Sequence, residues 1–225
     1  MSAIYINSEK DLAAREAYLQ LAEAADRFEQ YTHPHAVRIA AIADKIAEAF
    51  HMAPQDRKSI RTAARMHDLG EATMEREYIQ RAGSLTEDER LDLARHPVIG
   101  EQEAARASAD RAAQLLVRWH HEWWNGGGYP DALRQNEIPL AARILRVADS
   151  YAALTDARPF RRAMTEEEAR QKIIESAAIE FDPAVVAALL SLRDLQELRS
   201  FARPPEPLAP TTKDRGANLF SSFTR

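Results

Sequence analysis

Ile60-Arg61-Thr62-Ala63-Ala64-Arg65-Met66-His67-Asp68-Leu69-Gly70 sets Ile60, Ala63, Ala64 and His67 three and four residues apart. That is the spacing of one face of an α-helix, and it carries a histidine onto an apolar stripe. Asp68 follows at the inner edge of the stripe, four residues after Ala64 and eight after Ile60. A buried carboxylate is costly unless it is paired or bound to a metal. The helix is expected to start near Pro54, which suits a first turn, and to end at Gly70 as a C-cap.

The same periodicity recurs on both sides. Ser8, with Asp11 three residues on, predicts an N-cap and a helix to about Tyr31. Ile39, Ile42 and Ile46 share a face of a helix from about His35 to Phe50. Thr86 with Glu89 is a capping-box pattern that opens a short helix reaching His96, and Pro97 begins another. Leu115, Leu116 and Trp119 belong to a helix that delivers His120 and His121. Glu122 to Pro139 is the longest internal loop, of a length that is often functional. Ile144, Val147, Ala148, Tyr151 and Ala152 form a further stripe, Thr165 with Glu168 caps the next helix, and Asp182-Pro183 starts the last substantial one. No strand pattern of any size and no internal repeat is present, so the fold class read from the chain is all-α.

The chain has 225 residues, room for one large domain with a short appendage. Apolar residues make up 45%, enough for a packed core. There is no cysteine, which excludes disulfides and thiolate metal sites and fits the cytoplasm. The formal net charge of −5 argues against a broad nucleic-acid-binding surface. No run of eighteen or more apolar residues predicts a membrane span. Met1-Ser2-Ala3-Ile4-Tyr5 has no basic segment leading into an apolar stretch, so no secretory signal is expected. Pro204, Pro205, Pro207 and Pro210 precede a polar stretch, which reads as a flexible tail over 202–225. Residues 1–30 read as an N-terminal helix packed on the domain or serving a homodimer, and 31–201 as the domain itself.

Singly, the polar residues have ordinary readings. An isolated His-Asp pair is most often a core histidine beside a capping carboxylate. Asp149 follows Leu145 by four and also leans inward, where Arg146 or Arg143 could pair with it. His120 and His121 are more specific, because adjacent histidines at a helix end can turn both rings toward one centre. The constellation weighs more than its parts. His35, His67, His96, His120, His121, Asp68 and Asp149 can supply two metal ions if one carboxylate bridges. Two metals a few ångströms apart can clamp a phosphoryl group and supply hydroxide at neutral pH. Mixed nitrogen and oxygen ligation without sulfur suits Fe or Mn better than a structural zinc. His33 and His51 carry no assigned role.

The order of these motifs resembles the HD-GYP family, a branch of the HD metal-dependent phosphohydrolases. The resemblance runs from about Tyr31 to Leu192. It covers Tyr31-Thr32-His33-Pro34-His35-Ala36-Val37-Arg38-Ile39, His67-Asp68-Leu69-Gly70, His96-Pro97-Val98-Ile99-Gly100 and His120-His121-Glu122 with Gly128-Tyr129-Pro130. Arg143 to Tyr151 and Arg158-Pro159-Phe160-Arg161-Arg162-Ala163-Met164 follow. It implies a multi-helix HD-domain bundle and hydrolysis of cyclic di-GMP to a linear dinucleotide or GMP through a metal-bridging hydroxide. Carried onto matching positions, it implies that His35, His67, Asp68 and Asp149 hold one divalent ion. Asp68 would bridge to a second ion held by His96, His120 and His121. Some relatives hold a third ion through a glutamate where this chain has Tyr31, so two ions are expected. Arg158, Arg161 and Arg162 match a basic segment near the substrate phosphates. Gly128, Tyr129 and Pro130 would shape the pocket mouth and offer a contact surface, with a diguanylate cyclase domain as candidate partner.

Two departures stand out. The family usually has lysine where this chain has Glu71, so Glu71 stands beside Asp68 as a candidate catalytic carboxylate that weakens anion binding. That substitution makes a catalytically weak binding module the second reading, and another cyclic dinucleotide or nucleotide substrate the third. Asn125, Gly126 and Gly127 replace the usual start of the Gly-Tyr-Pro loop.

Overall fold

The computed structural model describes residues 9–31, 33–81, 83–157, 162–193 and 195. Ser8 as a cap, Arg158, Arg161 and the 202–225 stretch lie outside them.

Three helices come first: α1 Glu9–Phe28, α2 His35–Ala49 and α3 Pro54–Met66. On α2, Ile39, Ile42 and Ile46 are buried together with Ala36, Ala40, Ala43 and Ala47. Alanine on that face allows close approach of α3, whose Ile60, Ala63 and Ala64 are also fully buried. Outside this contact, Asp44 of α2 accepts from Arg57 Nε (3.0 Å) and Nη2 (2.8 Å) and from Arg61 Nη1 (2.5 Å) of α3. Helix α1 packs on α2, α3 and α4 through buried Ala22 and Ala25. Its Asp26 accepts from the Ala36 amide (3.1 and 3.3 Å), so a neighbouring helix caps α2, which opens after Pro34 with no cap of its own.

The third helix stops at Met66, earlier than its apolar stripe suggests. His67 and Asp68 form a turn, and α4 (Leu69–Met74) begins at once. Gly70 is therefore inside a helix and is not a C-cap. A Cβ there would lie 2.0 Å from the His96 carbonyl oxygen and 2.9 Å from the Gly100 amide nitrogen. Glycine permits a close backbone-to-backbone crossing of α4 with the helix that opens at His96.

A short α5 (Glu77–Gln80) precedes α6 (Glu87–Leu93), which opens with the capping box of Thr86 and Glu89. Next come α7 (His96–Arg106) and α8 (Arg111–Trp119), the latter capped by Asp110. The loop after α8 contains one 3-10 turn, Gln135–Glu137. Helix α9 (Leu140–Thr155) follows, then α10 (Glu166–Glu175), capped by Thr165 and Glu168, and α11 (Pro183–Ser191), capped by Asp182. Helix α9 is the centre of the bundle. It packs on α2, α3, α8, α10 and α11, and buries Ile144, Leu145, Val147, Ala148, Tyr151 and Ala152. Among the described residues there is no strand, only an isolated bridge between Ala177 and Phe181. No helix among them is long and apolar enough to cross a membrane.

Candidate metal centre

Each histidine of interest sits at a helix end, where ring position follows from backbone geometry. His35 opens α2, His67 follows the last turn of α3, His96 opens α7, and His120 and His121 follow α8. Asp149 projects from the middle of α9. His35, His67, His96 and His120 are at most 2% exposed, and Asp68 and Asp149 are buried.

The donor atoms form two adjacent groups: Asp68 with His96, His120 and His121, and His35 with His67 and Asp149. Asp68 touches both. Its Oδ2 is 2.7 Å from His67 Nε2, while its Oδ1 is 3.4 Å from His96 Nε2 and 3.5 Å from His120 Nε2. Asp149 Oδ1 lies 3.8 Å from the Nε2 atoms of both His35 and His67.

The outward nitrogens explain why the inward ones converge. His67 Nδ1 donates to the Ala64 carbonyl (3.1 Å), His96 Nδ1 to Leu93 (2.8 Å) and His120 Nδ1 to Val117 (2.6 Å). A carbonyl can only accept, so Nδ1 of each ring carries a proton and Nε2 is the nitrogen turned toward the cluster. His35 Nδ1 is held instead by Asp156 Oδ2 at 2.7 Å. His121 differs, because Arg146 Nη1 stands 3.3 Å from its Nδ1. Arg146 also lies 3.5 Å from Asp149 Oδ2 and 2.9 Å from Glu180 Oε2, whereas Arg143 pairs with Asp182.

Electrostatics holds Asp68 and Asp149 as anions, lowers His96 and His121, and raises His67. Burial raises the carboxyl of Asp68, but the charge of His67 and the hydrogen bonds of His120 and His67 together outweigh it and hold Asp68 well below the usual carboxylate range. Asp149 is brought to about 2, with burial outweighed by His35 and by the charge of His67. Burial pushes His96 down to about 4. Burial, with His120 and His96 alongside, holds His121 well below its usual value. Burial lowers His67 too, yet Asp68 drives it up to about 10.

The residues fit divalent ions. His35 Nε2, His67 Nε2 and Asp68 Oδ1 are buried and have no hydrogen-bond partner. Buried polar atoms are rarely left so, and a cation in each of the two donor groups would satisfy them. The donors are nitrogen and oxygen only, the set that suits Fe, Mn and similar ions.

A cavity of about 310 Å³ opens on this cluster, lined by Asp68, His121 and Asp149 together with Glu71, Tyr78 and Arg81. Glu71 is buried, with Oε1 3.9 Å from His96 Nδ1. Tyr129 and Pro130 line a separate groove between Leu91 of α6 and Ile99 of α7. The Tyr129 ring stacks on His121, with centroids 4.8 Å apart, so this residue backs a cluster histidine. Gly128 permits that placement, since a Cβ there would lie 2.2 Å from the Trp123 amide nitrogen. Arg162 is exposed and pairs with Glu168 at 3.2 Å.

Sequence reading missed several supports. Asp156 follows Asp149 by seven, two helical turns along the same face, a signal that was available. Buried Glu122 accepts from the amides of Asp131 (2.7 Å) and Leu133 (2.9 Å) and so ties the loop to the end of α8. The position of Arg146 between His121 and Asp149 has no short-range signature.

The sequence model of the HD domain family matches residues 18–185. The chain belongs to the HD domain family. It is an HD domain of the HD-GYP type, carrying the Gly128-Tyr129-Pro130 loop. Among curated relatives, the cyclic di-GMP phosphodiesterase response regulator RpfG of Xanthomonas campestris pv. campestris is 36% identical over 179 residues. That alignment spans 78% of this chain and 47% of the relative. A 3'3'-cGAMP-specific phosphodiesterase 2 of Vibrio cholerae is 28% identical over 179 residues, spanning 79% of this chain and 34% of the relative. This HD domain thus spans half or less of the length of those relatives. A solved structure of a V. cholerae cyclic GMP-AMP phosphodiesterase, V-cGAP3, superposes with a TM-score of 0.61 at 18% identity, covering 84% of this chain and 53% of that one. At that identity the likeness speaks for the fold alone.

Proposed function

We propose that this HD domain is a metal-dependent phosphodiesterase that opens cyclic di-GMP to linear pGpG or GMP. The observation that carries the reading is Asp68, whose two oxygens face two separate histidine groups. In this reading His35, His67, Asp68 and Asp149 hold one divalent ion, and Asp68, His96, His120 and His121 hold the other, with Fe or Mn favoured. Such a pair of ions would lower the pKa of water and draw charge from the phosphoryl oxygens.

The chain's own residues then divide the remaining work. Asp68 and Asp149 stay ionised and set the charge of the centre. The backbone carbonyls of Ala64, Leu93 and Val117 keep three rings aimed inward. Arg81 lines the cavity with its guanidinium paired to Glu89 at 2.6 Å and is proposed to exchange that partner for a phosphate oxygen, while Glu71 adds a like charge that opposes the substrate. Arg158, Arg161 and Arg162 are proposed to meet the second phosphate. The groove beside Tyr129 and Pro130 is the proposed contact surface for a diguanylate cyclase domain.

Burial of Glu71 at the cavity favours a second reading, a metal-bearing receptor with weak turnover. One experiment separates the two. Protein loaded anaerobically with Fe or Mn, its metal content measured, is incubated with cyclic di-GMP and with 3'3'-cGAMP. Linear products from cyclic di-GMP support the phosphodiesterase. Binding without products in fully loaded protein rejects it in favour of the receptor.

A further inference from the structure

Five histidines surround the centre, and four have a defined acceptor behind the ring. Three of these acceptors are neutral carbonyls located three residues earlier in the chain. The fourth, behind His35, is the carboxylate of Asp156, contributed by the C-terminal end of α9.

The support of that carboxylate is specific. Arg38, one turn after His35 on α2, reaches the other oxygen of Asp156 through Nη1. Arg38 Nη2 donates to Thr155 Oγ1 at 2.7 Å, and Nη1 also reaches the Ala152 carbonyl at 3.3 Å. Arg38 and Asp156 are both buried. The Tyr31 ring lies flat on His35, with centroids 3.7 Å apart and planes 13° from parallel. Helix α9 therefore supplies two carboxylates to one histidine, Asp149 beside Nε2 and Asp156 at Nδ1, seven residues apart.

From this arrangement we infer that Asp156 is a positioning residue that makes the two metal positions unequal, strengthening the one that contains His35. The inference rests on the metal-centre reading above. An anionic acceptor at Nδ1 draws the proton outward and increases electron density at Nε2, which a neutral carbonyl does far less. Arg38 keeps the carboxylate in place and offsets its burial. Partners behind a ligating imidazole typically change metal affinity by about 10- to 100-fold when removed. At the other position the Nδ1 atoms of His96 and His120 hydrogen-bond to backbone carbonyls, and the nearest carboxylate, Glu71 at 3.9 Å from His96 Nδ1, is beyond hydrogen-bond distance, so that position is expected to release its ion first.

The test is a chelator-buffered Mn(II) titration of metal-stripped full-length protein, with bound metal counted by mass spectrometry. Wild type is expected to bind two ions with separated affinities. In Asp156→Asn the tighter step weakens by about 10- to 100-fold and the weaker step holds. Because Asp156→Asn leaves Arg38 without its anion, the double variant Arg38→Gln/Asp156→Asn is titrated in parallel and should show the same selective loss. A second readout is the His35 Nδ1 proton in ¹⁵N-histidine spectra of the metal-stripped protein. It should resonate downfield of the carbonyl-bonded Nδ1 protons and lose that displacement in the variants. Equal weakening of both steps, or affinities unchanged in the double variant, overturns the inference and leaves the metal centre standing. A wild-type protein that takes up no Mn(II) overturns the metal-centre reading itself.

Discussion

Gly70 of α4 lies against the backbone of His96 at the start of α7, so close that a Cβ would meet the His96 carbonyl oxygen at 2.0 Å. His-Asp-Leu-Gly is thereby a unit. The histidine and aspartate supply donors, and the glycine sets how near the next donor-bearing helix can come.

Substituting Gly70→Ala should push α7 away from α4. The obstacle is backbone and not a flexible side chain, so the cost is expected near the upper end of overpacking, about 3 kcal/mol. Thermal melting should fall by roughly 6–12 °C, and metal uptake should fall with it because His96 moves. A melting temperature within a degree of wild type would contradict the crossing described here.

Asp68→Asn keeps the shape of the side chain and removes its charge. With one carboxylate facing both histidine groups, both ions should be weakened. Loss of several kcal/mol of transition-state stabilisation corresponds to a fall in kcat of about 100-fold or more. Bound metal per chain and kcat are the measurements. Full retention of both ions would mean that Asp68 does not join the two groups.

Glu71→Lys exchanges a buried negative charge at the cavity for a positive one. An anionic substrate should bind more tightly, with kcat/KM rising roughly tenfold at low ionic strength and less at high salt. Steady-state kinetics at two salt concentrations give the answer. An unchanged kcat/KM would show that Glu71 is not what limits the site.

Asp44 joins α2 to α3 through Arg57 and Arg61. Burial raises its carboxyl, but the two guanidinium groups outweigh that and hold it below the usual value. A depressed folded value means the stabilisation is fully present above the unfolded aspartate pKa, about 3.9. It is lost as pH falls through the lower folded value. Asp44→Asn should therefore cost about 1–2 kcal/mol at pH 7 and flatten the acid limb of a stability–pH curve from chemical denaturation. A variant as acid-sensitive as wild type would assign that limb to other groups.

Helix positions were readable because their signals are short-range. The Ile39, Ile42 and Ile46 stripe, the capping boxes at Thr86 and Thr165, and the proline at position 183 each act within about one turn. The seven candidate donors were readable for a similar reason: imidazoles and carboxylates on apolar stripes need partners, and few partner types suit them. Local periodicity and capping therefore carried the all-α class, and chemical type carried the list of candidate donors.

Distance relations were not readable. Gly70 looks like a helix end in the chain, and only the crossing of α4 with α7 makes it a packing glycine. Tyr129 reads as part of a pocket mouth, yet folding turns its ring onto His121. The separation of the donors into two groups with Asp68 between them, and the pairing of His35 with an aspartate 121 positions later, depend on α9 running through the bundle's centre. Local propensity specifies where the chain is helical. Which buried groups face one another is decided by close packing of helices distant in sequence, a constraint that no short window of residues contains.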